Sequence, residues 1–127
     1  MLVTPYYAAI FGLVLVVLSF RVIRIRQHLA VAMGDGGNYR LRRAVRVHGN
    51  FTEYVPLTLL LIYFAELAWQ NALVAHALCS LLLLARLFHA YGVSQVREDL
   101  RFRVFGLAVT GGVISVSALL ILVGGRQ

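Results

Sequence analysis

The chain has 127 residues, of which 61% are hydrophobic and 13% charged, with a net charge of +7 and a mean hydropathy of +0.83. A soluble globular chain carries about twice that share of charge, so composition argues against a water-soluble bundle, and the length fits one domain over residues 1–127. The single cysteine, Cys79, excludes an intrachain disulfide and reads as a small buried apolar residue.

Met1 to Phe20 carries no charge. A bilayer core is crossed by about 20 apolar helical residues, so a first membrane helix is expected over residues 5–26, with Pro5 tolerated in its first turn. The run has no basic leading region and no evident small-residue cleavage site, so it is expected to be a retained helix and not a secretory signal. The stretch MGDGGN, Met33 to Asn38, combines three glycines with Asp and Asn, which is turn chemistry. A second helix is expected over 41–67. Pro56 lies inside it, removing one backbone hydrogen bond and favouring a kink, which a membrane helix tolerates when neighbours satisfy the freed carbonyl. Leu67 to Ala85 is uncharged and predicts a third helix over 71–91. VSQVREDLR then makes a connection to a fourth over 103–123. Within that fourth helix TGGVISVSA, Thr110 to Ala118, gathers small residues that let membrane helices approach closely. Soluble helices of this length show a polar face and these show almost none, so the expected fold is all-α, an integral membrane four-helix bundle.

All twelve basic residues are arginine. Seven, from Arg21 to Arg46, surround the first connection, and Arg97, Arg101 and Arg103 surround the third. Basic residues concentrate on the cytoplasmic side, so both of these connections are expected there and both termini opposite. The absence of lysine fits the planar fork with which arginine grips carboxylates and phosphates; a base-composition bias explains it equally well.

The stretch RVHGNFTEYVP, Arg46 to Pro56, places charges at the mouth of an apolar helix. At 100° per residue, Arg46, Asn50 and Glu53 fall within an arc of about 60°, which Arg42 and Arg43 widen to about 100°. Tyr54 lies near its edge and His48 on a different face. A carboxylate at the depth of Glu53 is costly unless paired. Arg46 on the same helix and Arg86 on the third are its candidate partners. Arg86 and His89 share a face, and an antiparallel pairing of helices two and three brings their ends to the stripe. Two readings follow: a salt-bridge cluster that fixes packing, or a pocket open to the cytoplasm for a small anionic ligand bearing an amine, with an apolar second substrate arriving from the lipid.

These residues resemble the signature of the MAPEG family, the membrane-associated proteins in eicosanoid and glutathione metabolism, whose pattern is approximately R-x-[HQ]-x-N-x-x-E-x-x-P. Arg46, His48, Asn50, Glu53 and Pro56 match it, Tyr54 is similar to eicosanoid-type members, and ARLFHAYG is similar to bacterial ones. The resemblance implies a homotrimer that binds glutathione between subunits near the cytoplasmic face, through Arg46, His48, Asn50, Glu53 and Tyr54, with Arg26, or Arg24, from helix one; Arg86 and His89 join the expected binding set. It implies an arginine at the start of helix four that stabilises the glutathione thiolate. A straight count puts that position on Leu100; Arg101 is the expected catalytic residue and Arg103 the alternative. His89 and Val93 stand where eicosanoid-type members have tyrosines.

The expected function is therefore a membrane glutathione transferase, with glutathione as co-substrate, acting on hydrophobic electrophiles or lipid hydroperoxides. The competing readings are a lipid- or glutathione-binding protein without catalysis, and a small transporter using Glu53 as an ion site. The transporter class favours a carboxylate nearer the middle of the membrane, with less arginine around it. The expected partners are glutathione, a hydrophobic small molecule or lipid, the membrane and further copies of the chain, with neither metal nor nucleic acid. A bacterial inner membrane is the expected location.

Overall fold

The computed structural model describes residues 1–95, 97 and 99–124, so Arg126 lies outside the described residues. They form four helices: α1 Thr4–Leu29, α2 Tyr39–Trp69, α3 Ala72–Ser94 and α4 Leu100–Gly124. All four are long and apolar enough to cross a membrane. Their ends differ from the sequence-based ranges by up to three residues. A change in polarity ends an apolar run, but it does not end a helix; capping does. The Asn38 side chain accepts the Leu41 N–H at 3.0 Å and starts α2. Asn71 Oδ1 accepts from Leu73 and Val74 at 3.1 and 3.2 Å and starts α3. Asp99 Oδ1 accepts the Arg101 N–H at 2.9 Å, so α4 begins before its arginines and not after them.

The α1–α2 connection turns where the glycines lie. Gly34, Gly36 and Gly37 all have positive φ, a backbone region in which glycine pays no Cβ penalty. Asp35 Oδ1 accepts the Gly37 N–H at 2.9 Å, and Arg42 pairs with the other carboxylate oxygen. The Arg42 guanidinium, with the Gly37 N–H, holds the Asp35 carboxyl below its usual range.

Helix α2 runs unbroken through Pro56 and packs against each of the other three helices. The tightest neighbours are α3 and α4. Buried residues on α3 recur as Ala75, Leu78, Cys79, Leu82, Ala85, Arg86 and His89, the three-and-four spacing of a helix seated in a bundle. Helix α1 buries only Thr4, Phe11 and Leu18, seven apart, a narrow seam facing α2. The outward faces stay apolar, with Leu13, Val17, Leu84, Leu119 and Leu122 all exposed, as lipid contact requires.

On α4, Thr110, Val113 and Ser117 from the small-residue stretch are buried, while Gly111 and Gly112 face open space. The closest approach falls one turn earlier. At Gly106 a Cβ would lie 2.7 Å from both the Ala85 carbonyl oxygen and the His89 Cβ. At Gly92 it would lie 2.7 Å from the Phe102 Cβ. Two glycines, one on each helix, thus bring α3 and α4 together at the end that carries the arginines.

At the opposite end, the α1 N-terminus lacks a side-chain cap of its own residues. Glu66 of α2 supplies it: its carboxylate accepts the Val3 and Thr4 N–H groups at 2.6 and 2.9 Å. An anion at a helix N-terminus also meets the positive end of the helix dipole. The lone indole, Trp69, donates to the Leu120 carbonyl at 2.8 Å and ties the end of α2 to α4.

Candidate functional site

The polar stripe of α2 divides around the helix. Asn50 turns inward and is buried, whereas Arg46 and Glu53 turn outward with side chains 54% and 52% exposed. Of the two candidate partners for Glu53, Arg46 is the one in contact, its Nη1 donating to Glu53 Oε1 at a loose 3.4 Å. Glu53 is thus not enclosed within the chain, contrary to the expectation of a carboxylate held among the helices. The reason is angular: Arg46 and Glu53 sit roughly opposite Phe51 and Val55, which face the core.

Arg86 takes a different position. It is 3% exposed, and its Nη1 donates to Asn50 Oδ1 at 2.6 Å while Nη2 donates to the Gly106 carbonyl at 3.0 Å. The Tyr54 ring centroid lies 5.8 Å from its Cζ, within cation–π reach. Among the described residues both hydrogen-bond partners are neutral, and the buried Nε–H has none. A desolvated guanidinium held only by neutral dipoles is costly. The small Gly106 makes this arrangement possible, because α4 comes close enough for its carbonyl to reach Arg86. His89, one turn further along α3, is also buried.

The MAPEG family model matches residues 4–123. This chain is a member of the MAPEG family. The inner membrane protein YecN of Escherichia coli strain K12 is 38% identical over 110 residues, covering 86% of this chain and 82% of the relative. YecN of Escherichia coli O6:H1 strain CFT073 matches to the same extent.

The MAPEG signature residues do not all gather on one side of this chain. Arg46, Glu53 and Tyr54 are exposed, with Asn50 behind them. His48 lies away from them, its Nε2 3.0 Å from Ser19 Oγ on α1. Arg26 closes the first connection by donating to the Gly34 carbonyl at 2.7 Å. Arg101 is exposed in the first turn of α4, next to Leu100, and Arg103 is half-buried. Sequence reasoning missed Gly106, whose carbonyl completes the Arg86 site; nothing distinguishes it in sequence from Gly111 or Gly112. It also missed Ser19, a lone hydroxyl in an apolar run. A polar residue inside the charge-free run from Met1 to Phe20 was the available signal.

Proposed function

We propose that this MAPEG member is a glutathione transferase-like protein of the bacterial inner membrane that works as a homotrimer, with its arginine-rich connections in the cytoplasm. The observation that carries the reading is the outward-facing Arg46–Glu53 pair on α2, at the mouth of its membrane-length apolar run. Charges on an outward face beside the lipid are expensive, so a neighbouring copy and a ligand cover them. Arg46 grips a glutathione carboxylate through its fork and Glu53 takes the ammonium group. Asn50 and Tyr54 border the same patch, and the anion supplies Arg86 with the counter-charge that Asn50 and Gly106 lack. His48 and Arg26 point elsewhere on the same chain, which suits a boundary site fed by two copies.

Arg101, on the exposed first turn of α4, is the thiolate partner in this reading. A guanidinium beside the glutathione sulfur favours loss of its proton, and the thiolate is the nucleophile. It attacks an electrophilic carbon, a carbon–sulfur bond forms, and the leaving group departs with its electron pair. The apolar outer surface delivers such substrates directly from the bilayer.

A second reading is favoured by Leu100, which occupies by straight count the place of the activating arginine and is 60% exposed. On that reading the chain binds glutathione or lipid without catalysis. Glutathione titration of purified protein, monitored by the ultraviolet absorbance of the thiolate, tests both. The transferase reading expects a thiolate signal that Arg101→Ala abolishes while binding survives, and a large loss of binding in Arg46→Ala. Binding without thiolate in the unaltered protein supports the second reading. No binding at all overturns both.

A further inference from the structure

The arginine-rich end carries a second feature that the signature residues do not use. A cleft of about 500 Å³ opens between the last turns of α1 and the start of α2, lined by Arg24, Ile25, His28, Leu29, Asn38 and Arg40. A neighbouring cleft of about 440 Å³ shares Arg24, Ile25 and Arg40 and continues along α1 past Arg21 to Phe20 and Val17. Both volumes lie in the range of small-molecule sites, roughly 300–1,000 Å³. Neither lining contains a carboxylate.

Among the described residues the charges there are uncompensated. Arg24 and Arg40 are exposed, and neither has a carboxylate within ion-pair distance among the described residues. The nearby Asp35 is taken by Arg42. Arg21 points one nitrogen at Ser94 Oγ of α3, 2.7 Å away, a neutral partner. The clefts are therefore polar and cationic at one end and apolar at the other, where Phe20 and Val17 are 57% and 67% exposed on the membrane-crossing part of α1. That gradient has the polarity of a phospholipid: an anionic headgroup above and hydrocarbon below. Arg40 and Arg46 are six residues apart, about 120° around α2, so this cleft and the proposed glutathione patch occupy different faces.

We propose that the Arg24–Arg40 cleft is a binding site for an anionic phospholipid, whose headgroup phosphate is held by Arg24 and Arg40 with Arg21 beneath it. Its acyl chains lie along Val17 and Phe20. Basic pockets at the ends of membrane helices recognise such headgroups by their charge, and the planar guanidinium fork suits phosphate oxygens. The assignment is independent of the glutathione reading above, which takes its helix-one arginine from Arg26 and not Arg24.

The test is lipid retention by purified full-length protein in neutral detergent, read by native mass spectrometry after addition of phosphatidylglycerol, phosphatidylcholine or inorganic phosphate. The unaltered protein is expected to retain phosphatidylglycerol in preference to phosphatidylcholine. Arg24→Gln combined with Arg40→Gln is expected to lower that retention about tenfold or more. Arg42→Gln, which removes a charge from the same region but outside the cleft, is expected to leave it nearly unchanged. The single variants Arg24→Gln and Arg40→Gln, at exposed positions, give the same comparison if the double variant does not fold. Equal retention of the two lipids overturns the proposal, as does an equal loss in Arg42→Gln, which reduces the effect to diffuse charge. Full displacement by millimolar inorganic phosphate also overturns it, because a soluble anion then suffices.

Discussion

The closest contact between α3 and α4 makes a sharp prediction at Gly106. In Gly106→Ala the new methyl would sit 2.7 Å from the Ala85 carbonyl oxygen, 2.7 Å from the His89 Cβ and 3.2 Å from the His89 Cα. Carbon atoms prefer about 3.5–4.0 Å, so the helices must separate by something near 1 Å. The obstructing atoms are mainly backbone, which has no rotamer into which to retreat. Overpacking of this kind costs about 1–3 kcal/mol. The same shift pulls the Gly106 carbonyl from Arg86 Nη2, 3.0 Å away on α3, so the upper part of that range is expected. At about 4 °C per kcal/mol, the value between the size classes on either side of this length, that corresponds to a fall in melting midpoint of roughly 8–12 °C. Gly111→Ala is the internal control, since nothing lies within 4 Å of its added methyl; its helix propensity alone raises stability by up to about 1 kcal/mol. Thermal unfolding followed by far-ultraviolet circular dichroism in one detergent measures both. Equal midpoints, or a greater loss at Gly111, would refute the close approach at Gly106 and with it the geometry of the Arg86 site.

Other expectations follow from single contacts. Asn50→Leu strands the buried Arg86 charge and is expected to cost about 2–3 kcal/mol, whereas adding Arg86→Met should restore part of it; a double variant no more stable than Asn50→Leu contradicts this coupling. Glu66→Ala removes the acceptor for Val3 and Thr4 and is expected to cost about 0.5–2 kcal/mol, with faster hydrogen exchange confined to the first turn of α1. The lowered Asp35 carboxyl stabilises the first connection above the unfolded aspartate value of about 3.9, and that contribution disappears as pH falls through the lower folded value. Digestion by an acid protease should therefore cut this connection increasingly as pH drops below about 4, relative to Asp35→Asn, which should show no such trend; parallel profiles would exclude the mechanism.

The helices were legible because charge-free runs of membrane length leave few alternatives, and the glycines of Met33 to Asn38 turn where their chemistry says they should. Helix ends were less legible, because Asn38, Asn71 and Asp99 set them from outside the apolar runs. Within the site, the 100° rule separated His48 from Arg46 and Glu53 correctly. It did not decide whether Glu53 meets Arg46 or Arg86, because that depends on how far α2 is rotated against α3. Arg86 turns instead to Asn50 and to the Gly106 carbonyl, which α4 brings close because Gly92 and Gly106 lack side chains. Long-range pairs such as Glu66 with the start of α1 leave no trace in local spacing at all.

The solitary indole has a practical consequence. Trp69 is bonded to Leu120 and lies so close to Gly124 that a methyl there would approach its Nε1 to 2.6 Å. Its fluorescence is therefore a native optical gauge of how firmly the tail of α2 is clasped to α4, at the end of the molecule remote from the arginine-rich connections. Any colour shift on ligand addition would mean that an event at one rim had been felt at the other, and would show this without attaching a dye.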